Sequence, residues 1–69
     1  MKKVLIRNDL VVELRERREW SRQELADAAG IHRQNIYNLE WGKGVSVKHL
    51  ALVASALETP IADFIELIT

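Results

Sequence analysis

The chain has 69 residues, ten basic and ten acidic, so its formal charge is zero. That length suits one small domain with a single core, and 48% apolar residues exclude a disordered segment. With no cysteine, a disulfide framework and a thiolate metal site are excluded.

The start, MKKVLIR, is basic but holds only a three-residue apolar run, too short for a signal peptide. Nothing approaches a membrane span, so the expected compartment is the cytoplasm. Residues 1–7 read as an arm, with Lys3 to Arg7 β-branched and apolar enough for a short strand or an ordered segment. Asn8 is a good N-cap, and Asp9 suits the positive end of a helix over 9–18. Its inner side is Leu10, Val11 and Leu14, and the charged remainder is a solvated face with a Glu13–Arg17 pair. Trp20 reads as a core plug between the first two helices.

Ser21 and Glu24 form a capping box that opens the second helix. Leu25, Ala28 and Ala29 are its apolar stripe, and Gly30 is its C-terminal stop. A third helix follows within two residues. Ile31, Ile36 and Leu39 take its inner side. Arg33, Gln34, Asn35, Tyr37 and Asn38 are left on the outer side, the residue types that read base edges and phosphates. Residues 21–42 thus read as helix, turn, helix, with the second helix suited to the major groove.

Lys43-Gly44-Val45 is a glycine-rich loop without the spacing or strand context of a phosphate-binding loop. Ser46 caps a fourth helix with Leu50, Val53, Ala54 and Leu57 inside. Thr59 and Pro60 read as cap and first residue of a fifth helix, about 60–67, with Ile61, Phe64, Ile65 and Ile68 apolar. The chain is one all-α domain, 1–69, without linker or repeat.

Taken together, this pattern resembles the Cro/C1-type (XRE-like) helix-turn-helix regulators over roughly residues 8–65. The matching residues are Leu14-Arg15, Ser21-x-x-Glu24-Leu25-Ala26, Gly30-Ile31, Ile36-x-x-Leu39-Glu40-x-Gly42, and Leu50-x-x-Val53-Ala54-x-Ala56-Leu57. The resemblance implies a compact five-helix, lambda-repressor-like fold, with the third helix reading a pseudo-palindromic operator in a repressor or Cro-like regulator. It assigns base readout to Arg33, Gln34, Asn35, Tyr37 and Asn38. Phosphate contacts fall to Arg22, His32, Lys43 and Lys48. Arg15 and Glu40 take the positions of a structural ion pair between the first and third helices. Three positions depart from the family pattern. His32 stands where Ser or Thr is usual, Trp41 where a small polar residue is usual, and Glu58 where Gly is common.

Several of these residues have ordinary structural roles open to them as well. Tyr37 either packs on its own helix or touches base or sugar, and Arg22 is either a surface arginine or a phosphate contact. Trp41 is expected to pack on the fourth helix, and His49 to sit at the edge of the core. His32 and His49 show no ligand spacing, so no metal or other cofactor is expected. No nucleophile, base and acid form a set, so the chain is not read as an enzyme.

Charge is uneven: residues 1–7 carry +3, residues 43–51 carry +2, and residues 52–69 carry −3. Double-stranded DNA is the expected partner, bound with weak non-specific affinity. A homodimer through residues 58–69, helped by Val4-Leu5-Ile6, is expected, with a DNA-paired monomer as the other reading. The neutral charge also fits a different class, a helix-turn-helix fold used as a protein-binding module, such as an antitoxin or anti-repressor subunit.

Overall fold

Phe64 is the largest fully buried side chain, and the turn that carries it packs against α1 and α4 as defined below. The computed structural model describes residues 3–43 and 46–68, with backbone alone at Lys3, Val4, Leu67 and Ile68. The order is β1 (Lys3–Ile6), α1 (Asn8–Arg17), α2 (Arg22–Ala29), α3 (Arg33–Glu40), α4 (Val47–Ala56), a 3₁₀ turn (Ile61–Phe64) and β2 (Ile65–Ile68). Gly44 and Val45 of the expected glycine-rich loop lie outside the described residues.

The helices start and stop for local reasons. Ser21 Oγ accepts from the Glu24 N–H at 3.1 Å, and Glu24 Oε1 accepts from the Ser21 N–H at 2.9 Å, completing the capping box of α2. Ser46 caps α4 through the His49 N–H at 3.2 Å. α1 is different: Arg7 holds the cap position without a side-chain bond, and Asn8 is the first helical residue. Asn8 instead lies against Gly42, where an added Cβ would meet its Nδ2 at 2.8 Å.

Each of α1 to α4 closes the same way. A residue with positive φ follows the last turn, and the next N–H reaches back to the carbonyl five residues earlier. The bonds run from Trp20 to Arg15, Ile31 to Ala26, Lys43 to Asn38 and Thr59 to Ala54. Glycine fills the left-handed position at Gly30 (φ 72°) and Gly42 (φ 73°). Glu19 (φ 56°) and Glu58 (φ 53°) fill it at the other two ends, against the usual steric preference.

The core is Val11 of α1, Leu25, Ala26 and Ala29 of α2, Ile36 and Leu39 of α3, Leu50, Val53 and Ala54 of α4, then Leu57 and Phe64. Ala26, not Ala28, completes the buried stripe of α2; Ala28 faces solvent. Leu10, Leu14, Trp20, Ile31, Ile61 and Ile65 pack around this core, half-buried.

The fold departs from an all-α, five-helix domain at its end. Residues 60–67 form no fifth helix. Pro60 is the cap of a 3₁₀ turn, and Thr59 donates its hydroxyl to the Leu57 carbonyl at 3.0 Å. That single turn sinks Phe64. Ile65 to Ile68 then run extended and pair antiparallel with β1, with Leu5 opposite Glu66 and Ile6 opposite Ile65. The Arg7 N–H closes the ribbon on the Phe64 carbonyl at 2.7 Å. The β-branched and leucine side chains of both ends favour this pairing once a partner strand is present.

Candidate nucleic-acid interface

α3 divides cleanly. Ile36, Leu39 and Glu40 are buried, while Arg33 and Gln34 are exposed and Asn35, Tyr37 and Asn38 are half-exposed. Residues four apart on a helix are neighbours, so the outer surface carries two rows, Arg33–Tyr37 and Gln34–Asn38. In the second row Gln34 Nε2 donates to Asn38 Oδ1 at 3.2 Å.

His32 caps α3. Its Nδ1 accepts from the Gln34 N–H at 3.0 Å, doing with an imidazole what a hydroxyl does elsewhere. An accepting Nδ1 leaves Nε2 as the protonated nitrogen of the neutral ring, and His32 is exposed.

The far end of α3 is anchored by Glu40. Arg15 Nε lies 2.7 Å from Glu40 Oε2, and its Nη2 lies 3.3 Å from Oε1. Arg15 Nη1 also donates to the Trp20 carbonyl at 2.8 Å. The Glu40 side chain is 1% exposed and that of Arg15 10%, so α1 and α3 are joined through a buried two-pronged pair.

Arg22, the first residue of α2, adds a third arm. Its Nε donates to Glu40 Oε1 at 2.8 Å, and its guanidinium lies 4.8 Å from the Tyr37 ring centre. The hydrogen bond to Glu40 holds the Arg22 pKa above its ordinary value. Two arginines on one carboxylate leave this junction with a net positive charge. Arg22 is therefore neither a plain surface arginine nor a side chain free for phosphate alone. The family resemblance pairs Glu40 with Arg15 alone; the Arg22 arm, from 18 residues away in the chain, has no signal in the sequence.

Trp41 does not pack on α4. It is 60% exposed and stands beside Tyr37, ring centres 5.2 Å apart, with the Lys43 ammonium 5.7 Å from its ring centre. Its spacing of four from Tyr37 is the signal in the sequence that places it on the outer row. The structure thus gathers Arg22, Tyr37, Trp41 and Lys43 at one end of α3. Lys48 is exposed in the first turn of α4 and makes none of these contacts among the described residues. His49 is half-buried, at the core's edge.

Two short helices joined by a glycine turn, the second carrying a polar outer row, define a helix-turn-helix domain. The helix-turn-helix family model matches residues 11–64. The chain belongs to this family, in its Cro/C1 (XRE) type, and is a DNA-binding transcription regulator by that membership. A crystal structure of the transcriptional regulator VanUg is similar in fold, with a TM-score of 0.68 at 22% identity. The superposition covers 97% of this chain and 87% of that one. No curated protein sequence matches the chain. Among the described residues, no helix is long and apolar enough to cross a membrane.

Proposed function

We propose that the protein recognises a specific double-stranded DNA sequence by laying α3 in the major groove, and acts in the cytoplasm as a repressor or Cro-like regulator. The observation that carries this reading is the outer surface of α3. Arg33, Gln34, Tyr37 and Asn38 are not buried, and the fold uses none of them for its core. Arg33 suits guanine, and Gln34, Asn35 and Asn38 suit adenine, while Tyr37 meets base or sugar. His32, through Nε2, contacts phosphate together with Lys43 and Lys48. Arg22 shares its charge between Glu40 and the backbone of the duplex.

The operator is read as pseudo-palindromic and the protein as a homodimer, because one short recognition helix spans only a few base pairs. The ribbon of β1 and β2, within the two segments expected to pair copies, supplies the interface. Leu5 is 48% exposed on it, and among the described residues both outer edges of the two-stranded ribbon are unpaired. The backbone of β2 pairs with β1 of its own chain, so residues 65–68 serve a dimer from within that ribbon.

A second reading, a protein-binding module such as an antitoxin subunit, is favoured by the zero net charge. Salt titration of duplex binding separates the two. DNA recognition gives a linear fall of log K with log salt, at about −0.9 per phosphate neutralised. A modest slope is expected, because Arg15 is committed to Glu40 and Arg22 has only part of its charge left for phosphate. No binding to any duplex at low salt transfers support to the protein-binding reading.

A further inference from the structure

The geometry points to a contact outside the base-reading set: Trp41 lies on the sugar-phosphate backbone beside the groove that α3 enters and forms a clamp with the phosphate contact already given to Lys43. This rests on the reading of α3 as a DNA-recognition helix.

Arg33, Tyr37 and Trp41 follow one another at spacings of four, so they make one row on one side of the helix. The Trp41 N–H still bonds the Tyr37 carbonyl at 3.0 Å, so the helical path persists to this residue. Trp41 is therefore the next step of the outer row, one turn beyond Tyr37. A helix end in the major groove meets the groove wall, where deoxyribose presents apolar C–H faces and phosphate presents charge. An indole and an ammonium match that alternation.

Three observations favour this occupant over a protein partner. The row is continuous with the polar residues of α3. The ammonium of Lys43 is held near the indole at 5.7 Å. No carboxylate pairs with Lys43 among the described residues. The ring also prepares the cation, because a lysine resting on an aromatic face has less freedom to lose when it meets a phosphate. Arg22 lies on Tyr37 in the same way, so each of the two neighbouring rings carries a cation. Trp41 carries no sequence information in this role; it strengthens binding to every duplex.

The test measures anisotropy of two labelled duplexes, one selected by the protein and one unrelated, with wild type, Trp41→Ala, Lys43→Ala and the double variant. Trp41→Ala is expected to weaken both duplexes about equally, by about tenfold, from lost apolar contact. It leaves the salt slope unchanged, while Lys43→Ala lowers the slope by about one phosphate's worth. The double variant loses less than the product of the single losses, because the two side chains act together. In a Trp20→Phe background Trp41 is the only indole, and its emission moves on addition of duplex. Thermal melts of the Trp41 variant match wild type, since the side chain is exposed.

Trp41→Ala binding both duplexes within twofold of wild type overturns the clamp and leaves DNA recognition by α3 standing. A loss confined to the selected duplex overturns it too, by making Trp41 a base reader. Failure of wild type to bind any duplex overturns the clamp together with the functional reading. Emission that moves with a protein ligand and not with duplex assigns the patch to a protein partner.

Discussion

Arg15 and Arg22 meet on the same carboxylate, one on each oxygen at their closest approach: Arg15 Nε 2.7 Å from Glu40 Oε2, Arg22 Nε 2.8 Å from Oε1. The consequence is mechanical. α1, the start of α2 and the end of α3 are joined at one side chain, so Glu40 adds a polar tie to the core packing of Ile36 and Leu39 in holding α3. Arg22 then lies on Tyr37, so the same junction also bears on the outer row.

Removing the carboxylate should be costly. Glu40→Ala leaves two guanidinium groups together, one of them buried, and the expected loss is about 3–5 kcal/mol. Arg22→Ala breaks the more exposed arm and should cost on the order of 0–1 kcal/mol. Urea unfolding of both variants checks the ordering. Equal losses would mean that the Arg15 arm contributes nothing beyond the Arg22 arm.

Glu19→Gly should stabilise the domain. The left-handed position costs a non-glycine residue roughly 1–2 kcal/mol, and glycine returns roughly 0.5–1 kcal/mol of that as unfolded-chain entropy. The net gain is about 0–1.5 kcal/mol, and the middle of that range raises Tm by about 3–6 °C for a domain of this size. Glu58→Gly should gain less, because Glu58 also lies 3.5 Å from Arg18. A lower Tm for Glu19→Gly would show that the Glu19 side chain makes a compensating contact.

Much of the fold is legible in the sequence where a residue type has one structural use. Ser21 with Glu24, Gly30, Gly42 and the Leu50–Leu57 stripe mark their elements because each signal is local. The end of the chain is ambiguous for a physical reason. Ile61, Phe64, Ile65 and Ile68 fit the period of a helix, and Ile65-Glu66-Leu67-Ile68 equally suits a strand, so the decision falls to β1 sixty residues earlier. Glu19 and Glu58 hide two helix stops because the backbone bonds, not the side chain, close the turn. At the candidate site, the outer row of α3 is readable from its spacing. The competition for Arg22 is not, since it depends on where α2 begins relative to Glu40. Trp41 misleads because a large apolar residue is ordinarily assigned to a core.

Base readout separates from backbone contact by its sequence dependence. Arg33→Ala and Gln34→Ala should relax preference at particular base pairs, each by roughly 1–3 kcal/mol of discrimination. Lys43→Ala should weaken all sequences about equally. Binding of each variant to a panel of single-base operator variants reads this directly. A uniform loss for Arg33→Ala would reassign it to phosphate.

The dimer proposal is tested by a substitution on the ribbon. Ending the chain at Ala62 would remove Phe64 from the core, so loss of a dimer there would not distinguish interface from fold. Leu5→Lys changes an exposed side chain and adds charge to a strand whose outer edge is unpaired among the described residues. Light scattering at micromolar concentration without DNA should give a dimer for wild type and a monomer for Leu5→Lys. A monomeric wild type would leave pairing to the operator.

Recognition of a specific duplex by α3 is tested most directly by selection from a random duplex pool at low salt with wild type and Gln34→Ala in parallel. Wild type should enrich a two-fold related site with half-sites about 34 Å apart, and Gln34→Ala should enrich a relaxed form of the same site. No enriched sequence for wild type, or identical sites for both proteins, would contradict recognition through this face of α3.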